Sequence, residues 1–137
     1  MSTHHRTAII ALLAVLFPTF AARSAISPDN VKRMKDNAKE VFVIEVTKID
    51  VASKNLNTVE IIYTMKIIEV IRSGEGVKAG QTIKVESYDR FSIIPEAGPK
   101  IPERLKVGWK GTAYTRYDEK TKRFAIAVYG HSFEPAE

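Results

Sequence analysis

The fold is decided by two consecutive stretches, Tyr63-Thr64-Met65-Lys66-Ile67-Ile68-Glu69-Val70-Ile71-Arg72-Ser73-Gly74 and Val77-Lys78-Ala79-Gly80-Gln81-Thr82-Ile83-Lys84-Val85. Apolar and polar residues alternate in both stretches, which is the period of a half-buried β-strand. The interval from Arg72 to Gly80 contains three glycines, which predict the turn that reverses the chain. The sequence therefore predicts two antiparallel strands joined by a short turn, and hence a β fold.

The first two strands of the predicted sheet each change their buried face once. In the first strand, apolar side chains occupy even positions up to Val46 and odd positions from Ile49 onward. In the second strand the change comes between Ile67 and Ile68. A regular strand cannot change faces without an extra residue or a sharp bend, so we expect a β-bulge at each place. Strands bent in this way favour a closed barrel over a flat sheet.

The remaining segments complete the predicted order of elements. Ser27 and Pro28 suit the N-cap and the first position of a helix that would run to about Glu40. Three prolines make residues 89–104 irregular. Two further strands are predicted after that segment, at residues 107–117 and 123–133. A three-stranded meander followed by two strands predicts a mainly β fold, a small five-stranded OB-like Greek-key barrel with one N-terminal helix. A β-sandwich is the alternative.

The N-terminal segment has the pattern of a secretory signal peptide. A short basic start precedes an apolar run at residues 7–20, and small residues follow. This run of about 14 residues is shorter than the roughly 20 that a membrane-spanning helix needs. Cleavage is predicted after Ser24, with Ala21 as the alternative site. We therefore expect residues 1–24 to be removed and residues 25–137 to form one secreted or periplasmic domain without a membrane span.

The composition limits how this domain can be stabilised and what it can bind. The chain of 137 residues contains no cysteine, so apolar burial rather than disulfides must stabilise an exported domain. The formal charge of +5 falls to about +3 once Arg6 and Arg23 leave with the signal. A charge of this size favours solubility and does not by itself indicate a polyanion-binding protein.

Four short stretches between residues 41 and 117 follow a recurring pattern. Val41-Phe42-Val43-Ile44-Glu45-Val46 gives an opening strand, and residues 63–74 give a second strand that ends in a basic residue and glycine. Residues 77–85 and 105–114 each give a valine, a glycine and then a strand. The pattern resembles the secreted netrin-like domains, which include the tissue inhibitors of metalloproteinases, and their small bacterial relatives. The resemblance implies an OB barrel and a protein-binding module.

The resemblance does not extend to the inhibitory mechanism of that family. Its inhibitory members bind the protease zinc through an amino-terminal cysteine, and this chain has no cysteine. No individual functional residue is therefore carried over. What the resemblance implies is the scaffold and the general class of function.

Candidate catalytic and metal-binding residues are few. His131 is the sole histidine after the signal segment, and it falls on the last predicted strand, opposite the core face. Without cysteine or a second histidine, the usual nitrogen and sulfur ligands of zinc are missing. Asp118 and Glu119 are adjacent carboxylates in a hairpin turn, and the chain has no G-x-S-x-G nucleophile elbow. We therefore expect a non-catalytic protein without a metal or cofactor.

The best candidate for a binding surface is the proline-containing segment. Its apolar side chains are too numerous for a segment that must lie on the surface, so they either fold back as a lid on the barrel or contact a partner. The candidate partner-binding residues are Arg90, Phe91, Ile93, Ile94, Ile101 and Arg104. The expected function is a secreted protein-interaction module, inhibitor-like in type, with an unknown partner.

Two other functions remain open as alternatives. One is a small exported hydrolase, and the other is a polyanion-binding or nucleic-acid-binding OB domain. Base stacking on exposed aromatic side chains beside basic ones is the mechanism that OB barrels use for single strands. Two sets of residues could supply it, Tyr88 with Lys84 and Arg90, and Tyr114 and Tyr117 with Lys110 and Arg116.

Overall fold

The computed structural model describes residues 26–91 and 98–137. The predicted signal peptide lies outside these residues. One helix, α1 (Pro28–Asn37), precedes the strands. The strands are β1 (Glu40–Ser53), β2 (Thr58–Ser73), β3 (Thr82–Arg90), β4 (Lys110–Asp118), β5 (Arg123–Ile126) and β6 (Phe133–Pro135). A short 3-10 turn, Tyr129–His131, separates β5 from β6.

Five of the strands close into a barrel. Their order is β1-β2-β3-β5-β4, and β4 returns to pair with β1 from Glu40 to Glu45. The pairings are antiparallel except between β3 and β5, which run parallel where Val85 and Glu86 meet β5. This is the strand order of a small OB-like Greek-key barrel, so the predicted fold class is confirmed and the sandwich alternative is wrong.

Three β-bulges bend the pair formed by β1 and β2. Thr47 on β1 has no partner residue on β2, and Ile68 and Ile71 on β2 have none on β1. The bulges at Thr47 and Ile68 confirm the two predicted changes of face, whereas the bulge at Ile71 was not predicted. A bulge bends its strand and increases the local twist, which helps a long sheet to close on itself.

The core fills the interior of the barrel with alternate residues of the strands. Its buried members are Phe42, Ile44, Val46, Ile61, Tyr63, Met65, Ile67, Ile83, Val85, Leu105, Ala113 and Phe124. Tyr63 is the one that carries a polar group, and its hydroxyl oxygen accepts the backbone N–H of Leu105 at 3.0 Å. The Tyr63 ring also meets Phe133 edge to face, with the ring centres 5.8 Å apart. Tyr63 thus joins β2 to both the irregular segment and β6.

Helix α1 is shorter than the sequence predicts. Ser27 caps it as expected, and its side chain accepts the backbone N–H of Asn30 at 3.3 Å. The helix ends at Asn37 rather than near Glu40, because Ala38 has an extended backbone that leads directly into β1.

The predicted last strand does not continue to Phe133. Tyr129 has a positive φ of 46°, which lies outside the β region and ends the run. Ser132 stabilises the turn, since its side-chain oxygen accepts the N–H of Val128 at 2.9 Å and its hydroxyl donates to the carbonyl of Tyr129 at 2.8 Å. His131 therefore lies half-buried in this turn and not on a strand.

The fourth strand also begins later than predicted, at Lys110. Gly108 has a φ of +90° and donates its N–H to the carbonyl of Val46 at 2.7 Å, so residues 107 and 108 form a turn against β1. Further along, Gly111 lies directly under β6, where a Cβ atom would overlap the carbonyl of Glu134. Glycine at this position lets β6 pair with β4.

The replacement Tyr63→Phe tests the contribution of the buried phenol. Burial raises the pKa of Tyr63, so the folded protein holds the phenol proton more tightly than the unfolded chain. This stabilisation is complete below the unfolded pKa of about 10 and is lost as the pH rises through the folded value. We expect Tyr63→Phe to lower the free energy of unfolding at neutral pH by about 1–3 kcal/mol, because the buried N–H of Leu105 loses its acceptor.

Urea denaturation at neutral pH and between about pH 9 and 11 measures both effects. Tyr63→Phe should show a shallower loss of stability with rising pH than the wild type. Tyr88→Phe, at a half-exposed position of β3, is the control and should keep the wild-type slope. If stability falls equally steeply with rising pH in all three proteins, the buried phenol of Tyr63 does not contribute to the pH dependence, and the prediction is wrong.

Candidate functional site

The predicted partner-binding residues are not equally accessible. Ile93 and Ile94 lie outside the described residues. Phe91, directly after β3, is 59% exposed. Ile101 is half-buried, within a stretch that packs on the barrel. Of the predicted apolar residues that the structure describes, Phe91 offers the larger exposed surface.

The two predicted arginines both contact β3. Arg104 donates from Nε to a carboxylate oxygen of Asp89 at 2.7 Å. The guanidinium of Arg90 lies 5.5 Å from the centre of the Tyr88 ring, within the range of a cation–π interaction. Both side chains are thereby held against the strand from which the segment departs.

The second half of the proline-containing segment is anchored to the barrel. Leu105 is part of the core, and Pro102 is also buried. The carbonyl of Lys100 accepts the N–H of Gly130 at 2.7 Å, which ties the segment to the 3-10 turn. Within the described residues, this part of the segment is packed structure rather than a free loop.

An exposed apolar pair marks the end of the barrel where this segment begins. Leu56, at the tip of the hairpin between β1 and β2, is 99% exposed. The N–H of Phe91 donates to the carbonyl of Asn57 at 2.9 Å, which holds the hairpin and the end of β3 side by side. Leu56 and Phe91 line the same shallow hollow, and we name this pair the apical patch. Leu56 was not among the predicted residues, although a leucine within the polar stretch 52–57 was the signal for it.

A groove runs from the apical patch across the outer face of the barrel. It consists of two adjoining hollows of about 560 and 620 Å³, which we call the outer groove. Both hollows are lined by Met34, Arg116 and Ala127. The first hollow also shares Asn55, Thr58 and Arg90 with the hollow of the apical patch. The apical patch and the outer groove therefore form one continuous surface.

The outer groove has an apolar floor and charged sides. Ala125 on β5 is buried beneath it, and Ile126 and Ala127 follow on the same stretch. On the side formed by β2 and β3, Arg123 donates to Glu86 at 3.0 Å and lies 4.0 Å from Glu60. One guanidinium thus lies against both carboxylates of this side and offsets one of their two negative charges.

Helix α1 forms the opposite side of the groove and is held by polar contacts. Lys35 is ion-paired with Glu134 and lies 5.1 Å from the centre of the Tyr114 ring, and the Tyr114 hydroxyl donates to Glu134 at 3.1 Å. Burial lowers the pKa of Lys35. Arg72 donates to the carbonyls of Lys35 and Asp36 at 2.6 and 2.8 Å. These contacts place Met34 over the groove.

The far end of the outer groove contains a buried carboxylate, Glu40, which is 2% exposed. One of its oxygens accepts the Ser73 hydroxyl at 2.7 Å, and the other accepts the N–H of Glu75 at 2.8 Å. The Thr115 hydroxyl donates to the backbone carbonyl of Glu40 at 3.0 Å. Glu40 therefore fixes the start of the turn between β2 and β3 and closes that end of the groove.

The aromatic side chains predicted for base stacking are largely occupied. Tyr114 lies under Lys35, and Tyr117 packs against Phe124 with the ring centres 5.2 Å apart. The Arg90 guanidinium lies over the ring of Tyr88. The outer face thus offers few free aromatic surfaces to a single strand.

Metal-binding groups are not brought together within ranges 26–91 and 98–137. No group of three or more histidine, cysteine or acidic side chains there could hold a metal ion. A carboxylate oxygen of Asp118 accepts the N–H of Lys120 at 2.9 Å, which stabilises the turn between β4 and β5. In the same described ranges, α1 and the other helical turn are too short and too polar to cross a bilayer.

Comparisons with known proteins do not assign a family. No protein-family model matches the chain, and no curated protein sequence matches it. The resemblance to netrin-like domains accordingly stays a prediction from short motifs.

The replacement Glu40→Ala tests the structural role of the buried carboxylate. It leaves the Ser73 hydroxyl and the Glu75 N–H without their acceptor, so we expect the free energy of unfolding to fall by about 1–3 kcal/mol. Glu40→Gln keeps one acceptor oxygen and should cost less. Glu75→Ala is the control, because it retains the backbone N–H and should change stability by less than about 0.5 kcal/mol. Urea denaturation that gives equal losses for Glu40→Ala and Glu75→Ala would contradict this role.

Proposed function

We propose that this protein is an exported, non-catalytic protein-interaction module that binds its partner through the apical patch. The supporting observation is the exposed pair Leu56 and Phe91, which line one hollow at the end of the barrel. An exposed apolar cluster costs solubility and commonly marks an interaction site. The hydrogen bond from Phe91 to Asn57 holds the pair in place before a partner arrives, which lowers the entropic cost of binding.

The position of the patch on the barrel also supports a binding function. OB barrels commonly bind ligands on the face of strands 2 and 3 and on the neighbouring loops. In this protein, Thr58 and Glu60 of β2 and Tyr88 of β3 line the outer groove, and the β1–β2 hairpin carries Leu56. The rigid strands hold the hairpin and the end of β3 at a fixed separation.

Among the alternatives, the surface favours a protein partner over a nucleic acid. Glu60 and Glu86 lie on the face of β2 and β3, where they would repel the phosphates of a bound strand. A hydrolase is not favoured either, because Asp118 is engaged in its own turn and His131 lies in the 3-10 turn. These observations support the binding module as the best of the three functions.

Site-specific photo-crosslinking in the cells that produce the protein tests this proposal. A benzophenone amino acid is placed at Leu56 or at Phe91, and the control carries it at Val107, which is 65% exposed in the turn before β4. We expect the same discrete adduct from Leu56 and Phe91 and none from Val107. Leu56→Ser should reduce the yield of the adduct formed from position 91, and Phe91→Ser should reduce the yield of the adduct formed from position 56. Adducts that do not differ between the patch and Val107 would contradict the proposal.

Export itself is tested by the N-terminus of the purified protein. Mass spectrometry should find a chain that begins at Ala25, or at Ala22 if the alternative site is used. Ala22→Arg places a large residue at the third position before the Ser24 site and should abolish cleavage there. Recovery of a chain that begins at Met1 in the cytoplasm would show that export is wrong.

A further inference from the structure

Arg116 lies in the outer groove where its two hollows adjoin. It is exposed on β4 and lines both hollows. Within ranges 26–91 and 98–137, every other arginine is engaged. Arg33 donates to Asn30, Arg72 to the end of α1, Arg104 to Asp89 and Arg123 to Glu86, while Arg90 lies over Tyr88. Arg116 makes no hydrogen bond or ion pair to any residue of those ranges.

The first hollow beside Arg116 carries a small excess of positive charge. Lys54, Arg90 and Arg116 line the first hollow, together with the carboxylates Glu60 and Glu86. Arg123 offsets one of these two negative charges, so Lys54 and Arg116 leave a small net positive charge in the hollow even when Arg90 is left out of the count. A planar guanidinium in such a place matches the geometry of a carboxylate, which it can bind through two parallel hydrogen bonds.

The surface next to Arg116 is apolar. Met34 and Ala127 flank it in both hollows, and Ile126 and Ala125 continue the floor toward β3. The groove crosses β2, β3, β5 and β4, which at about 4.8 Å per strand amounts to roughly 15 Å. That length accommodates about four or five residues of an extended chain. In such a chain, successive side chains point to opposite sides, so a carboxylate and an apolar side chain can contact the groove two residues apart.

We propose that the outer groove binds an extended segment of an acidic peptide, with one carboxylate paired to Arg116 and a neighbouring apolar side chain against Met34 and Ala127. This inference rests on the proposed function and names the chemistry of its partner. A peptide with isolated acidic residues fits the groove better than a nucleic acid does. A nucleic acid would bring a phosphate at every repeat toward Glu60 and Glu86.

The test uses a displayed library of random eight-residue peptides, selected on the immobilised wild-type protein. Enriched peptides should carry aspartate or glutamate two residues from leucine, isoleucine or an aromatic residue. Their affinity, measured by fluorescence polarisation, should fall by about 10- to 100-fold for Arg116→Gln, the effect of losing a charged hydrogen bond. The peptide affinity of Arg116→Lys should lie between that of the wild type and that of Arg116→Gln. Lys106→Gln makes the same change of charge at an exposed position outside the groove and should leave the affinity unchanged.

A double-mutant cycle shows whether the carboxylate and Arg116 are partners. Replacing the acidic residue of a selected peptide by its amide should weaken binding to the wild type and have little further effect on Arg116→Gln. The inference is overturned if no peptide is enriched, if enriched peptides lack acidic residues, or if Arg116→Gln retains full affinity. It is also overturned if a labelled oligothymidine binds in a salt-dependent way that Arg116→Gln abolishes, because the groove would then be a nucleic-acid site.

The outcome separates this inference from the proposed function. If the photo-adducts at Leu56 and Phe91 persist in Arg116→Gln while the peptide selection fails, the groove inference is wrong and the interaction module stands. If the wild-type protein forms no adduct at either position, the proposed function itself fails.

Discussion

The pairing of β1 with β4 is the interaction on which the rest of the structure depends. Residues Glu40 to Glu45 of β1 contact β4 on one side while the same residues contact β2 on the other. Without the second contact, the strands would form an open sheet with two free edges. Closure brings β4 beside β1 and thereby places Arg116 in the second hollow together with Glu40 and Met34. The second hollow of the outer groove therefore exists because the barrel is closed.

The elements that sequence alone could predict are those whose signals are local. Alternation of apolar residues located β1, β2 and β3, and the changes of face at Val46 and Ile68 correctly indicated bulges. A change of face can be recognised in the sequence of one strand, because every buried side chain of that strand has to point into the same core. The barrel followed from these bent strands and from the order of the elements.

The errors arose where a contact between distant or non-repeating groups decides the backbone. The last strand was predicted to continue because Phe124 and Ile126 alternate, but the hydrogen bonds of Ser132 and the positive φ of Tyr129 end it. No periodicity shows that a serine will bond to the backbone of its own turn. The helix end depends similarly on Arg72, which lies more than thirty residues further along the chain.

The candidate site was harder to predict than the fold because exposure depends on which strands become neighbours. The segment that begins at Phe91 was correctly singled out as apolar, yet Leu56 becomes its neighbour only through the pairing of β2 with β3. In the sequence, Arg116 was a candidate only as the basic neighbour of Tyr114 and Tyr117 in a possible base-stacking surface. The structure covers both of these rings and leaves the arginine without a partner among the described residues.

The two sides of the outer groove differ in how firmly they are held. The side of β2 and β3 belongs to the barrel, whereas no residue of α1 is fully buried and the helix is attached largely through Lys35 and Arg72. Elements with few buried apolar contacts open at a lower free energy than the core does. A ligand that contacts Met34 binds only when α1 is in place, so by mass action it must also stabilise the helix against opening. Binding of the proposed peptide would therefore be coupled to the order of α1.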